Sequence, residues 1–116
     1  MIYESIPEYS KEEIKQATVN NDVETLLRIV LSVALYAEDV KYAQDFCIKF
    51  SNHTNFNVRG NSILGFGHLA RIHGKLDESL VKPIIENVLN DKNEFVRQQS
   101  DCAKDDTEFF LKWKYK

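Results

Sequence analysis

Three features of this 116-residue chain predict an all-α fold, a short α-solenoid of about six helices in three antiparallel pairs. Apolar residues recur at i, i+3 and i+4 along most of its length, the period of one helix face. The interruptions are clusters of Asn and Asp rather than Gly and Pro, and such residues close one helix and cap the next. A short triplet also recurs at about the length of a helix pair. β-Branched residues are scattered and no hairpin turn occurs, so no strand competes.

The elements follow in order. Ser10-x-x-Glu13 has capping-box spacing and opens a helix near 10–19. After Asn20-Asn21-Asp22, residues 22–37 carry Val23, Leu26, Leu27, Val30, Leu31, Ala34 and Leu35, a wide apolar face suited to a core. Residues 39–52 place Val40, Ala43, Phe46, Cys47 and Phe50 on one side. The turn Asn52-His53-Thr54-Asn55 leads into 57–73, with Val58, Ser62, Phe66, Leu69 and Ile72 inward and Gly74 as the C-terminal cap. A fifth helix, 79–90, uses Leu80, Ile84, Val88 and Leu89 and contains Pro83, which removes a backbone donor. After Asn90-Asp91-Lys92-Asn93 the sixth, 94–113, runs Val96, Ser100, Ala103, Thr107, Phe110.

Asn57-Val58-Arg59 is matched by Phe95-Val96-Arg97, 38 residues later, and Asp22-Val23-Glu24 stands 35 residues before the first. Each triplet follows a polar turn and opens a helix. Paired helices at this period fit a HEAT-like solenoid in which helices two, four and six lie side by side and form one face. Residues 1–116 read as a single domain of this kind, large enough for one core but with little room for a deep cleft.

Composition bounds the function. An apolar fraction of 43% with 28% charged residues is that of a globular chain. Net charge is −3, from 18 acidic and 15 basic residues, without the basic stripe that direct nucleic-acid binding needs. Mild acidity favours a basic protein partner. Cys47 and Cys102 stand alone, with no metal-ligand spacing, and read as small buried hydrophobes kept reduced; no metal or cofactor is expected. Met1-Ile2-Tyr3-Glu4 lacks a signal-peptide n-region, and Arg28 and Ser32 break the longest apolar run, so a cytoplasmic protein without membrane contact is expected.

The segment GFGHLARIHGKLD, 65–77, invites a catalytic reading and resists it. His68 and His73 are five residues apart and point in different directions, whereas metal pairs want i, i+4; they read as neutral histidines bonding a neighbouring helix. Gly60, Gly65 and Gly67 lie inside a helix, not in a phosphate loop, and their use is close approach of neighbouring helices. Arg97, Asp101, Asp105 and Glu108 form one stripe on the last helix. Arg59 or Arg71 can reach Asp101 or Asp105 if helices four and six are neighbours, leaving the rest of the stripe as an anionic surface. A glycosidase-like pair needs acids facing across a cleft, which one stripe does not supply, so no catalytic residue is assigned. Lys112-Trp113-Lys114-Tyr115-Lys116 reads as a helix end with Trp113 packed back.

VRGNSILGFGHLARIHGKLD, then VKPIIENVLND and SDCAKDD, resemble small stand-alone bacterial HEAT-repeat proteins over residues 39–111. Some of that group look like immunity proteins of polymorphic or contact-dependent toxin systems. The resemblance implies a non-enzymatic, monomeric antitoxin that binds a cognate, basic toxin domain, such as a nuclease, in a 1:1 complex. It carries over only scaffold residues: Val58, Arg59, Gly60, Gly67, His68, Arg71, His73 and Asp77. The partner-binding candidates are Asp91, Glu94, Asp101, Asp105, Asp106 and Glu108. Lys104 and Thr107 interrupt the acidic end and depart from the pattern. The alternative is a HEAT-type protein–protein adaptor with no toxin partner.

Overall fold

Six helices make up the described residues, 6–115, of the computed structural model: α1 (Lys11–Asn20), α2 (Val23–Tyr36), α3 (Val40–Phe50), α4 (Phe56–His73), α5 (Glu78–Val88) and α6 (Glu94–Leu111). Met1-Ile2-Tyr3-Glu4 and Lys116 lie outside the described residues. Each helix begins at a short polar side chain that accepts a backbone N–H: Ser10, Asp22, Asp39, Asn55, Asp77 and Asn93. Ser10 and Glu13 complete a reciprocal capping box. Gly74 ends α4 at φ 67, where L side chains are strained. Helix α5 continues through Pro83, since Pro83 and Ser79, whose carbonyl loses its helical partner, are both exposed to water.

Helix α4 is the centre of the layer, packing most extensively on α6 and then on α2, with α3 covering both α2 and α4. α1 lies on α2 and α5 on α6, giving the expected solenoid-like array of pairs. The three inner helices run parallel. Asn61 donates to the Leu27 carbonyl at 2.8 Å and Gly65 faces Ala34, so α4 advances with α2. Gly60 faces Phe95 and Gln99 while Gly67 faces Asp106, so α6 advances with α4. Fully buried Leu26, Ile29, Val58, Ile63, Phe66, Leu69, Ile85 and Val96 fill the space between the layers.

Three inward assignments shift by one position. Leu80 (48% exposed), Ile72 (42%) and Phe110 (38%) face outward. Val81 and Ile85 are buried instead in α5, and His73 and Leu111 take the half-buried positions in α4 and α6. At a helix end both i+3 and i+4 continue an apolar stripe, and the layer selects the i+4 member in α4 and α6.

The turns are joined by a chain of polar contacts. Asn55 N–H donates to His53 Nδ1 at 2.9 Å, which places the ring proton on Nε2, 2.8 Å from the Asn21 Oδ1 it bonds. Arg59 donates from Nη1 to the His53 carbonyl at 2.9 Å and holds Asp91 through Nε at 2.9 Å and Nη2 at 3.0 Å. Asp91 in turn accepts the Asn93 N–H at 2.8 Å, and its carbonyl accepts from Arg97 at 2.7 Å. The 38-residue repeat is thus a repeat of bonding: His53 and Asp91 each take the N–H two residues on, and Arg59 and Arg97 each bond the carbonyl six residues back. Ser62 and Ser100 are likewise both buried. The earlier triplet is out of register, because α2 is capped at Asp22 itself whereas α4 and α6 are capped two residues before theirs.

Two measurements check this packing. A Cβ on Gly65 would lie 2.7 Å from buried Cys47 Sγ and 3.3 Å from Ala34 Cβ. Gly65→Ala is therefore expected to lower stability by about 1–2 kcal/mol in urea melts, overpacking outweighing the gain in helix propensity. Adding Cys47→Ala should recover part of that loss, a coupling readable by double-mutant cycle. The Arg59 guanidinium, hydrogen-bonded to Asp91, holds its carboxyl below the usual value of 3.8 despite burial. Its stabilisation is present above pH 3.8 and is lost as pH falls through the lowered value. Asp91→Asn should remove that part of the acid dependence while lowering stability at pH 7.

Candidate functional site

Helix α6 sorts its side chains into three directions. Val96, Ser100, Ala103 and Thr107 are buried toward the core, with Ser100 Oγ donating to the Ile85 carbonyl at 2.8 Å. Phe95, Gln99 and Asp106 face the glycines of α4. Glu94, Gln98, Asp101, Cys102, Asp105 and Phe109 are all exposed, at the i, i+4, i+7, i+8, i+11, i+15 spacing of one stripe. Helix α6 therefore presents an anionic strip beside α4 on the face turned away from α5.

The six acidic candidates occupy different environments. Asp101 and Asp105 are exposed and make no ion pair among the described residues. Glu94 is exposed and accepts from Gln98 at 3.4 Å. Glu108 is half-buried, 3.4 Å from Lys104 Nζ, an i, i+4 pair of small energetic weight. Asp106 sits half-buried in the α4–α6 seam, in space left by Gly67, where a Cβ would clash with its carboxylate. Burial raises its pKa, the Arg71 guanidinium lowers it in part, and Asp105 raises it further. Asp91 is spatially apart in role, since both its carboxylate oxygens are engaged by Arg59. Arg59 is thereby committed to Asp91 rather than to Asp101 or Asp105, since its neighbour Gly60 lies level with Phe95 and Gln99 near the start of α6.

The scaffold candidates divide similarly. Val58 is fully buried, and Gly60 and Gly67 admit Phe95 and Asp106. Asp77 caps α5, and its N–H donates to Gln44 Oε1 of α3 at 2.7 Å. Arg71 Nη2 lies 3.0 Å from His68 Nδ1; since a guanidinium only donates, that nitrogen accepts and the ring is neutral. Burial, then the Arg71 charge, lowers the His68 pKa to about 4. The expectation that the histidines bond a neighbouring helix is not met at His73, whose buried Nε2 has no hydrogen-bond partner among the described residues, while His68 bonds Arg71 of its own helix. The two rings point apart, and no cluster of three or more His, Cys, Asp or Glu among the described residues could hold a metal. A hollow of about 210 Å³ opens between Tyr9, Glu13 and Asn20 of the first pair, remote from these histidines in sequence and from α6 in the layer.

The tail behaves as a helix end. Lys112 closes α6 at φ 62, Trp113 is buried, and Tyr115 shares a 2.7 Å hydrogen bond with Thr107 between the Lys82 and Lys104 ammonium groups. Cys47 is buried as expected, but Cys102 is exposed, because it falls on the outward stripe of α6, and sequence reasoning passed over Phe109. The signal for Cys102 and Phe109 was the stripe itself: both fall on the spacing that the acids define.

No protein-family model matches this chain, and no curated protein matches it in sequence. Its architecture is that of a layered helical array, and it has a solved counterpart. A chain in the crystal structure of a CDI complex from Cupriavidus taiwanensis LMG 19424 matches with a TM-score of 0.80, covering 95% of this chain and 97% of that one at 23% identity. At that identity the likeness is one of fold. No helix among the described residues is long and apolar enough to cross a membrane.

Cys102 reports on the strip. Partial burial raises its thiol pKa, and Asp106, Asp105 and Asp101 raise it further. Although exposed, Cys102 is expected to react with iodoacetamide at pH 8 several-fold more slowly than a free thiol. Asp105→Asn should speed the reaction, measured by mass spectrometry at fixed pH.

Proposed function

We propose that this chain is an immunity protein that binds and neutralises a cognate toxin domain through the anionic strip of α6. The single observation that carries the reading is that Asp101 and Asp105 stand exposed, without an ion pair among the described residues, on a helix packed against the centre of the layer. Charges left unpaired and held in one orientation contribute little to folding but attract and align a basic partner. The fold likeness to a chain of a CDI complex supports the same reading, as does the resemblance of residues 39–111 to small bacterial HEAT-repeat proteins, some of which look like immunity proteins. On this reading residues 1–116 are one HEAT-like domain acting in the cytoplasm without catalysis. The partner is a basic toxin domain, a nuclease being the enzyme class whose polyanion-binding surface an acidic strip would occlude. One copy binds one toxin, contacting Glu94, Asp101, Asp105 and Asp106, with Glu108 released from Lys104 on contact. Asp91 serves the fold.

Purification of the tagged protein from its native host, with identification of what co-elutes, identifies the partner. Against that partner, Asp101→Lys with Asp105→Lys is expected to slow association about 10- to 100-fold at low salt, with the difference shrinking as salt rises. Unchanged binding and protection by the double variant would remove the acidic-strip mechanism.

A further inference from the structure

The strip ends in an apolar feature that electrostatics alone does not use. Phe109 is 68% exposed and Phe110 38%, their rings edge to face at 84° with centroids 4.8 Å apart. An aromatic pair left largely in water at the end of a helix adds little to folding. Lys112 Nζ lies 5.4 Å from the Phe109 centroid, while Asp105 stands one turn before Phe109 on the same face. The ring is thus already in use as a cation receptor within the chain, and most of it remains open.

We infer that Phe109, with Phe110 and Asp105, receives an arginine side chain of the partner. A guanidinium is planar and weakly hydrated, so it can stack on the ring while forking to a carboxylate, a combination an ammonium matches less well. The inference rests on the proposed reading of the strip in one respect, that the partner is a basic protein surface. Charge complementarity argues for that occupant over a second copy of this chain. A two-fold contact through this end would set Asp101 and Asp105 against their own equivalents.

The test needs no toxin, so it stands or falls separately from the immunity reading. The full chain is titrated with N-acetyl-arginine amide, with N-acetyl-norleucine amide as the uncharged control, while Phe ring and α6 amide resonances are followed. Saturable shifts at Phe109 and Phe110 are expected for the arginine probe and not for norleucine. They should weaken about two- to five-fold in Asp105→Asn and vanish in Phe109→Leu, which keeps the apolar bulk without the π face. Lys112→Gly, which removes the internal cation and suits the left-handed backbone, should tighten binding by a similar factor. Absence of a shift, equal response to norleucine, or survival of the shift in Phe109→Leu would overturn the assignment. So would concentration-dependent self-association of the wild type that Phe109→Leu abolishes, which would make the occupant a second copy.

Discussion

The pairing of Arg59 with Asp91 fixes the relation between the second and third helix pairs, and much of the layer depends on it. Both side chains are about 15% exposed, and the guanidinium forks to both carboxylate oxygens while also bonding the His53 carbonyl. An ion pair so nearly buried adds little net energy by itself. Its effect is to set register, because each partner also completes a turn: Asp91 caps toward Asn93, and Arg59 closes the turn that begins at His53. With His53 reaching Asn21, three turns distant in sequence hold one another in place.

With the turns fixed at one end, the glycines of α4 decide how close the inner helices come. Gly65 admits Cys47 and Ala34 on one flank, and Gly67 admits Asp106 on the other. That second contact links packing to the candidate site. Close approach of α6 is what turns Asp101 and Asp105 outward and leaves Asp106 recessed beside Arg71, so the anionic strip is a product of glycine placement as much as of acidic residues. The Cys102 thiol, carried on the same strip, has its pKa raised by partial burial and then by the neighbouring carboxylates, which disfavours the nucleophilic thiolate.

Most of the architecture was legible in the residues. Helix starts followed from Asn, Asp and Ser at the turns, and every observed N-terminal cap is one of these. The use of Gly60, Gly65 and Gly67 for close approach, the cap at Gly74 and the return of Trp113 also followed from local chemistry. What sequence could not decide was any choice between adjacent positions that both continue a helix stripe. Ile72 against His73 and Phe110 against Leu111 were settled by where the neighbouring helix lies, which periodicity does not contain. The partner of Arg59 was hidden for the same reason. Asp91 sits in a turn, and a stripe argument searches along helices. The site was legible as a set of acids but not as a surface, since only packing separates Asp101 and Asp105 from Asp91.

The parallel course of α2, α4 and α6 gives the inner layer an electrical direction, which the shorter, antiparallel α1, α3 and α5 offset in part. In an up-and-down bundle neighbouring helix dipoles oppose one another, whereas here three point the same way and their terminal partial charges add at each end. Free N–H groups gather at the end that carries the His53–Arg59–Asp91 contacts, and free carbonyls gather at the end that carries Gly74, Lys112 and the phenylalanines. The effect is confined to the last turn of each helix, so it acts as a local bias rather than a long-range field. It falls on the side where the acidic strip terminates. A cation therefore finds one end of the inner layer more favourable than the other, so the direction of the chain is written into its surface.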